Sequence, residues 1–441
     1  MSPKHDKQSL SRRTFLKQSL VAAAAIAGAP MLVPSSALGR DGAVAPSNRI
    51  TIGLVGMGIL GRTAHLAYLL DQKQLQVLAV CDCDREKLDA SRKMIEDAYA
   101  DRYDKASWKG CQATGEFRDV TGRADLDAIF VVTPDNWHSI VALAAIRAGK
   151  DVYCEKPMAH TIAEARAVAD AARRFGTVFQ TGSQQRSDKS FRQACELVRN
   201  GRIGRVHTVH VNVGGPAREC ELPGQPVPAA LDWDRWLGPA PWRPFNAILA
   251  PPVTDPNFPD WRSFSDYAAG GQADFGAHHY DIAQWGLGMD DSGPVEIFPP
   301  DGKEYQTLTY KYASGVVMTR GGAPDDTAVE FIGDKGWVRV NRGDFLKTEP
   351  ASLVHETFGR DEIHLIKSDS HHDNFFEAMR TRRPTICTAE IGCRSATVCY
   401  LGVIAEQLGR PLHWDPAAER FENDEEANKL RSRPMRAPWM I

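Results

Sequence analysis

A glycine-rich turn at residues 56–61 constrains the fold of this chain more than any other feature. The apolar run ITIGLVG ends at the start of this turn, the motif GMGILG then gives the spacing G-x-G-x-x-G, and a helical stretch follows. At such a turn, backbone N–H groups and the helix dipole hold a pyrophosphate, and glycine lets the phosphate approach the backbone. An unrelated tight turn has the same spacing, but its position between strand and helix favours a dinucleotide-binding Rossmann fold. The predicted contacts in the turn are Gly56, Gly58, Ile59, Leu60 and Gly61.

A carboxylate follows the glycine turn at the distance expected for a ribose contact. Asp82 lies 21 residues after Gly61, at the end of the next apolar run, QVLAVCD. There it would accept hydrogen bonds from both adenosine ribose hydroxyls and repel a 2′-phosphate, so it favours NAD over NADP. Arg85 lies close enough in the sequence to leave NADP open, and a turn-capping role is the structural alternative for Asp82.

The order of apolar runs along the chain predicts two domains of different kinds. Up to about Ser183, apolar runs alternate with helical stretches, which is typical of a parallel sheet covered by helices. Beyond it, runs such as VHTVHVNVG and LTYKYASGVVMTR alternate or are β-branched, which indicates antiparallel strands. We therefore predict an α/β Rossmann domain at residues 49–183 and an α+β substrate-binding domain with a large, mostly antiparallel sheet at residues 184–441.

Residues 1–39 have the features of an export signal. SRRTFLK, from Ser11 to Lys17, precedes an apolar stretch from Leu20 to Val33 and then a small-residue site that ends at Gly39. This arrangement resembles a twin-arginine signal, and it predicts cleavage near Gly39, a linker at residues 40–48, recognition by the twin-arginine translocation machinery and a periplasmic location. The apolar stretch is too short to span a membrane comfortably, although an uncleaved leader would tether the protein to one.

Charge and cysteine content argue against two other classes of protein. The chain mixes 53 basic and 56 acidic side chains, for a formal net charge of −3, and has no long block of one sign that would attract nucleic acid. Nine cysteines without a C-x-x-C pair predict neither a disulfide framework nor a zinc module. We therefore expect no nucleic-acid partner and no metal, and we expect Cys81 and Cys83 to be small buried hydrophobes.

Two motifs that lie far apart in the sequence carry the reactive groups. CEKP at residues 154–157 ends a predicted strand, and because ligands bind at the carboxyl ends of parallel strands, Lys156 is expected beside the cofactor. In the second motif, GGQADFGAHHYDIAQW, Asp274 and His278 are four residues apart, which places them on one face of a helix, and Asp281 follows one turn later.

Together with the glycine turn, the segments AGKDVYCEKP and DFGAHHYD resemble the Gfo/Idh/MocA oxidoreductases over essentially the whole chain after the leader. The resemblance implies that Lys156 contacts the reacting hydroxyl and that Asp274 and His278 lie across from it, with His278 as the proton acceptor or donor. It also implies a Lys156–Pro157 bond that is often cis, and pairing through an open-faced second sheet into a homodimer or homotetramer.

The chemistry of alcohol oxidation agrees with these residue types. A hydride leaves a secondary alcohol cleanly only if the hydroxyl proton departs too, and histidine has a suitable pKa for accepting it. The Lys156 ammonium would stabilise the developing alkoxide, and Asp274 would orient His278 or bind a neighbouring hydroxyl. The structural alternatives are a solvated lysine, a core or capping histidine and an N-capping aspartate. His279 is the rival base, although it should point elsewhere from the helix.

Neighbouring residues are expected to complete the cofactor and substrate sites. The loop TPDNWH at residues 133–138 resembles the family loop beside the nicotinamide, while HHD at residues 371–373 resembles a helix start and lacks nearby ligands for a metal. The further predicted cofactor contacts are Thr133, Pro134, Asn136, His138, Glu155 and Lys156. The further predicted substrate contacts are Arg186, Asp281 and Trp236, with a structural role as the alternative for Asp281 and core packing as the alternative for the tryptophan.

Three functions from different classes are compatible with these motifs. The first is an NAD-dependent oxidoreductase for a sugar, polyol or sugar derivative, which outside the cytoplasm needs a tightly bound cofactor and a closed redox cycle. The second is a redox-neutral NAD-dependent glycoside hydrolase that oxidises the sugar transiently, although the N-acetylgalactosaminidase branch lacks the E-K-P that this chain retains. The third is a nucleotide-binding protein without turnover, against which the intact set of Lys156, Asp274 and His278 argues.

Overall fold

The computed structural model describes residues 48–100, 102 and 110–441. The predicted leader at residues 1–39 and nearly all of the predicted linker at residues 40–48 lie outside the described residues.

The first half builds a six-stranded parallel sheet with the order β3-β2-β1-β4-β5-β6. The strands are β1 (Ile50–Val55), β2 (Leu75–Cys81), β3 (Gln112–Thr114), β4 (Ala128–Val131), β5 (Asp151–Cys154) and β6 (Phe179–Thr181). Strands β4 and β5 are buried along their whole length, because helices cover both faces of the sheet, and their sequences are accordingly almost continuously apolar. The strand order reverses at β1, which is where a crevice opens at the carboxyl ends.

Helices connect these strands, and their ends follow from local sequence. The helical segments of this half are a π-helical turn (Gly61–Leu66), α1 (Ala67–Asp71), α2 (Arg85–Ala100), α3 (Phe117–Thr121), α4 (Asp135–Arg147) and α5 (Ile162–Phe175). Helix α5 shows the pattern: the Thr161 side chain accepts a hydrogen bond from the backbone N–H of Glu164 at its start, and Gly176 ends it with a φ of +64°.

The second half forms a nine-stranded sheet with the order β13-β12-β11-β7-β10-β9-β8-β14-β15. Its strands are β7 (Val206–Val211), β8 (Glu296–Phe298), β9 (Thr309–Lys311), β10 (Val317–Arg320), β11 (Val329–Gly333), β12 (Gly336–Asn341), β13 (Phe345–Glu349), β14 (Leu412–Asp415) and β15 (Arg420–Phe421). Strands β7 and β10 run parallel, and the other neighbouring pairs run antiparallel. The predicted fold class, a Rossmann domain followed by a mostly antiparallel α+β part, is confirmed.

Helices of the second half also pack against the first. They are α6 (Lys189–Arg199), α7 (Trp233–Leu237), α8 (Gly271–Asp274), α9 (Gly276–Leu287), α10 (His371–Thr381), α11 (Ala389–Leu408) and α12 (Glu425–Lys429). Helix α11 packs against both α5 and α9. Phe375 and Phe376 of α10 belong to a buried cluster with Ile52 and Phe130 of the Rossmann sheet. The two halves therefore share apolar cores, which holds the residues between them in fixed positions.

No helix in the described part of the chain combines the length and the apolar character needed to cross a membrane.

Candidate active site

A cleft opens between the carboxyl ends of the parallel strands and the second half of the chain. Most of the predicted site residues line it. They are Gly56, Gly58, Ile59, Leu60, Asp82, Thr133, Pro134, His138, Glu155, Lys156, Trp236, Asp274 and His278. Four predicted site residues are not among those that line the cleft, namely Gly61, Asn136, Arg186 and Asp281.

The glycine turn has the shape that a dinucleotide requires. Gly56 has a φ of +96°, and a Cβ added there would lie 2.4 Å from the carbonyl oxygen of Val132. A Cβ on Gly61 would lie 2.2 Å from the carbonyl oxygen of Gly56, so this glycine allows the turn to close on itself. A Cβ on Gly58 would meet no described heavy atom within 4 Å, which leaves room for a phosphate against the backbone. The turn therefore fits a dinucleotide.

Asp82, at the end of β2, accepts a hydrogen bond from the glycine turn. Its Oδ2 accepts a hydrogen bond from the backbone N–H of Met57 at 2.7 Å, and its Oδ1 accepts one from that of Asp84 at 2.9 Å. Burial raises the pKa of Asp82, while the charge of Lys87 and these two N–H groups oppose the rise. Each carboxylate oxygen has a second lone pair, so both retain the capacity to accept a ribose hydroxyl. Arg85 instead donates to the carbonyl of Ala229 and does not line the cleft.

Lys156 follows β5 and is held by the loop that precedes His278. Its Nζ donates to Asp274 Oδ1 at 2.5 Å and to the Asp274 carbonyl oxygen at 2.8 Å. The Lys156–Pro157 peptide bond is cis, as the resemblance implied. Because an ammonium carries three N–H groups, one remains for a ligand in the cleft.

His278 is a buried and neutral base at the edge of the cleft. Its side chain is almost fully enclosed, and its Nδ1 has no hydrogen-bond partner among the residues that the structure describes. Burial lowers the pKa of His278 well below its ordinary value, and the charges of Lys156 and Arg342 lower it further. A neutral imidazole has one nitrogen that can accept a proton.

Asp274 and His278 are not on one regular helix, because the chain turns at Phe275 between α8 and α9. Both nevertheless face the same cleft. The Asp274 carboxylate pairs with Lys156 and lies 3.8 Å from the Nε of Arg262, and no hydrogen bond joins it to His278 in the described structure. In this structure the partner of the Asp274 carboxylate is therefore the adjacent Lys156 ammonium and not His278.

The rival histidine lies outside the cleft. The Nδ1 of His279 is 2.7 Å from the carbonyl oxygen of Asn212, and burial lowers the pKa of this ring to about 4. His278 is thus the histidine of this pair that reaches the cleft.

The loop after β4 is tied to the loop after β5 by a histidine. The ring nitrogens of His138 lie 2.7 Å from the Pro157 carbonyl oxygen and 2.8 Å from the Thr133 carbonyl oxygen. Asn136, also predicted to contact the cofactor, instead donates from Nδ2 to the Leu237 carbonyl oxygen at 3.1 Å and is fully buried. The second residue of α4 thus turns its side chain toward α7, and its cofactor contact stays a prediction.

Arg186 and Asp281, both predicted to bind substrate, form a buried ion pair instead. Arg186 Nε donates to Asp281 Oδ2 at 2.7 Å, its Nη2 donates to Asp290 Oδ1 at 2.6 Å, and its side chain is 1% exposed. Asp281 also accepts from the hydroxyl of Ser395 at 2.6 Å. These partners occupy the polar atoms and hold the turn after β6 against α9 and α11, so the structure places both side chains away from the residues that line the cleft.

Glu155 lies beside the cleft with its carboxylate held from two sides. Its Oε1 accepts from Gln184 Nε2 at 3.1 Å and lies 3.1 Å from His65 Nε2. Burial alone would raise the pKa of Glu155, but the hydrogen bond from His65 and nearby charges bring it below its ordinary value.

Some residues that line the cleft were not predicted from the sequence. Asp135 lines the cleft, no described residue donates a hydrogen bond to its carboxylate, and burial raises its pKa well above the ordinary value despite the opposing charge of Lys156. Its position inside the TPDNWH loop was a signal for it. Arg262, Arg342 and Trp439 also line the cleft, from segments without a recognisable motif.

Two family models match the chain. The model described as oxidoreductase family, NAD-binding Rossmann fold (GFO_IDH_MocA) matches residues 50–183. The model described as oxidoreductase family, C-terminal alpha/beta domain (GFO_IDH_MocA_C2) matches residues 215–441.

Relatives align with part of the chain. The D-glucoside 3-dehydrogenase of Escherichia coli is 30% identical over 179 residues, which are 40% of this chain and 46% of that protein. Inositol 2-dehydrogenase 2 of Saccharopolyspora erythraea is 30% identical over 171 residues, which are 38% of this chain and 47% of that protein. The chain thus spans about half the length of the curated relatives it matches.

Solved structures share the fold. The aldose-aldose oxidoreductase from Caulobacter crescentus, complexed with glycerol, superposes with a TM-score of 0.56 at 19% identity, covering 83% of this chain and 99% of that one. The WlbA dehydrogenase from Bordetella pertussis, in complex with NADH and UDP-GlcNAcA, gives a TM-score of 0.57 at 19% identity, with the same coverage of 83% and 99%.

Proposed function

The chain belongs to the Gfo/Idh/MocA oxidoreductase family, and from this premise we propose that it oxidises a secondary hydroxyl of a sugar, polyol or sugar derivative with NAD as the hydride acceptor. One observation carries the proposal: Lys156, Asp274 and His278 line the same cleft as the glycine turn. The relatives named as a glucoside dehydrogenase and an inositol dehydrogenase support a carbohydrate as substrate.

The glycine turn and Asp82 would hold the dinucleotide. The space next to Gly58 suits the pyrophosphate, and the Asp82 carboxylate at the end of β2 suits the ribose hydroxyls. NAD is favoured over NADP because this carboxylate would repel a 2′-phosphate. When bound, the nicotinamide supplies the acceptor for the hydride.

Proton transfer in this proposal is the work of His278 and Lys156. The neutral imidazole takes the hydroxyl proton as the hydride leaves the same carbon, so the alcohol becomes a carbonyl. The remaining N–H of Lys156 donates to the reacting oxygen and stabilises its developing negative charge. Asp274 keeps the ammonium in place through the 2.5 Å ion pair.

Asp135 supports a second candidate, the redox-neutral glycoside hydrolase. A carboxyl group that faces the cleft, and whose pKa burial raises well above its ordinary value, is suited to protonate a leaving glycosidic oxygen. In this reaction the hydride taken from the sugar returns to it, and the net change is the addition of water across the glycosidic bond.

The deciding experiment follows the absorbance of reduced nicotinamide when the purified protein and NAD⁺ meet a panel of free sugars, polyols and aryl glycosides, with aglycone release measured in parallel. Accumulating NADH without aglycone release is the expected result. Aglycone release with no net NADH would establish the hydrolase instead. NAD⁺ binding without either signal across the panel would indicate a nucleotide-binding protein without turnover.

Variants of the proposed catalytic residues test the site. Lys156→Met and His278→Ala should each lower kcat on the best substrate by about 10²-fold or more, since each removes a group that acts on the transition state. NADH binding by His278→Ala, measured by fluorescence titration, should stay close to that of the wild type. His279→Asn is the matched control, because its ring lies outside the cleft. Full activity of Lys156→Met or His278→Ala would contradict the assignment.

We also propose that the protein is exported through the twin-arginine route and keeps its cofactor through a closed redox cycle, for which the SRRTFLK motif is the support. A homodimer or homotetramer is proposed from the family resemblance. Replacing Arg12 and Arg13 by lysine should leave the protein in the cytoplasm of a host with this pathway. Recovery of that variant from the periplasm at wild-type level would contradict the proposed route.

A further inference from the structure

Residues 433–441, called here the 433–441 segment, run back over the Rossmann half and reach the cleft. Arg433 begins this path, with its Nε donating to Glu164 Oε1 at 2.8 Å and its Nη2 donating to the Asn136 carbonyl oxygen at 3.0 Å. Glu164 is almost fully buried, so this charge pair holds the segment where α4 and α5 lie side by side.

Arg436 anchors the segment a second time. Its Nη1 donates to Asp234 Oδ1 at 2.5 Å, its Nη2 donates to the Asp234 carbonyl oxygen at 2.7 Å, and its Nε donates to the Gly238 carbonyl oxygen at 3.0 Å. The backbone N–H of Arg436 also donates to the carbonyl oxygen of Pro239 at 3.0 Å. Several directional bonds from one residue fix the course of the chain three residues before Trp439.

The hydrogen bonds of Arg433 and Arg436 place Trp439 at the cleft. Its ring centroid lies 4.6 Å from that of Trp137 and 6.3 Å from that of Phe117, and the guanidinium of Arg118 lies 5.0 Å from its centroid. The indole nitrogen is buried, with no hydrogen-bond partner in the described part of the chain. The ring is therefore positioned by packing, and it lines the cleft together with Glu116 and Phe117.

The cluster lies toward the adenosine end of the cleft. Gly115 and Phe117 follow β3, which lies beyond β2 as seen from β1, whereas Lys156 follows β5 on the opposite side. In a Rossmann crevice the acidic residue at the end of the second strand marks the adenosine ribose, and that residue is Asp82 here. The base bound beyond this ribose would lie beside Phe117 and Trp439.

We propose that Trp439 is a cofactor-binding residue, whose indole covers the adenosine end of the bound dinucleotide and slows its release. The inference rests on the proposed function only in so far as the cleft binds a dinucleotide. Aromatic rings stack on nucleotide bases of any kind, because every base has a π-face. The Trp439 ring is already held by the anchored segment, so it loses little conformational freedom when the dinucleotide binds. The 433–441 segment thereby becomes part of the cofactor site.

The test measures the dissociation rate constant of NADH by displacement with excess NAD⁺, followed by nucleotide fluorescence. Trp439→Ala should dissociate about tenfold faster than the wild type, since base stacking on an aromatic ring is of that order. Trp439→Phe should recover most of the difference. Trp242→Ala is the matched control, because this tryptophan is 66% exposed and does not line the cleft.

The outcomes separate this inference from the proposed function. Wild-type protein that binds no NADH would overturn the proposed dinucleotide function itself. Wild-type binding with an unchanged rate constant in Trp439→Ala would overturn the inference alone. If Trp439→Ala fails to fold, as judged by circular dichroism, the NADH dissociation rate constant of Arg436→Gln is measured instead. This variant removes hydrogen bonds that hold the 433–441 segment and leaves the Trp439 ring in place in the sequence. Faster release from this variant supports the inference, and an unchanged rate constant overturns it.

Discussion

At the scale of single residues, the proposed chemistry of the cleft combines a charged lysine, Lys156, with an uncharged histidine, His278. The Lys156 ammonium lies against the Asp274 carboxylate, with an N–O distance of 2.5 Å. His278 stays neutral because it is buried and because Lys156 and Arg342 are positive. In the proposed mechanism the same ammonium would stabilise an alkoxide, and its charge lowers the pKa of the neighbouring imidazole.

The pH dependence of alcohol oxidation should show this neutral base. His278 is deprotonated above its pKa, which burial holds well below the ordinary value. We therefore expect kcat/KM to be level as the pH falls to about 6.5, the ordinary histidine pKa, and to decline only at lower pH. Arg342→Gln should move the decline to higher pH, because it removes a positive charge that lowers this pKa.

Arg410→Gln provides the control for that profile, since Arg410 pairs with Asp424 and Glu426 and does not line the cleft. A wild-type decline centred above pH 6.5 would contradict the neutral-base assignment, because it would mean that the pKa of the catalytic group is not lowered.

At the scale of elements, the turn between β1 and the following helix uses its glycines in different ways. Gly56 is required by the fold, because its φ is +96° and a Cβ would collide with the Val132 carbonyl oxygen. Gly58 has no such constraint from the fold, because a Cβ there would meet no described heavy atom within 4 Å, and its proposed role is to let a phosphate approach the backbone.

Alanine substitutions should separate these two roles. Gly56→Ala should lower the free energy of unfolding by at least about 1–3 kcal/mol, the cost of a strained backbone position. Gly58→Ala should change it by less than about 1 kcal/mol yet weaken NADH binding about tenfold or more, because the methyl group occupies the phosphate space. Urea unfolding and NADH titration of both variants provide the measurements. Unimpaired NADH binding by Gly58→Ala would place the phosphate elsewhere.

At the scale of the whole molecule, the buried Arg186–Asp281 pair joins the turn after β6, the last strand of the Rossmann sheet, to helix α9. Arg186 lies in the turn after β6, Asp281 lies on α9, and Ser395 of α11 donates to the same carboxylate. Because α9 also carries His278, this contact ties the position of the His278 side chain to the end of β6.

Removing one partner of this pair should be costly. Arg186→Met leaves Asp281 buried without its cation, for which we expect a loss of about 3–5 kcal/mol in the free energy of unfolding. Lys347→Met is the matched control: its pair with Asp326 is more than half exposed on both sides, so less than about 1 kcal/mol is expected. Equal losses in the two variants, measured by urea unfolding, would contradict the structural role of Arg186.

Local patterns were enough to predict the class of fold, and they also supplied the candidate residues of the site. The apolar runs, the glycine spacing and the positions of Asp82 and Lys156 at strand ends depend on neighbours in the sequence and on the rule that ligands bind at the carboxyl ends of parallel strands. The structure brings these residues to one cleft with Asp274 and His278.

Side-chain direction, in contrast, was decided by tertiary contacts. Arg186 and Asp281 are 95 residues apart, and Asn136 is 101 residues from its partner Leu237, so no local pattern distinguishes a buried contact from a ligand contact. The approach of Trp439 to the cleft likewise depends on anchors made by Arg433 and Arg436. The sequence by itself determined the elements and their strand-end residues because those follow from local periodicity, whereas packing between distant segments determined which polar and aromatic side chains face the cleft.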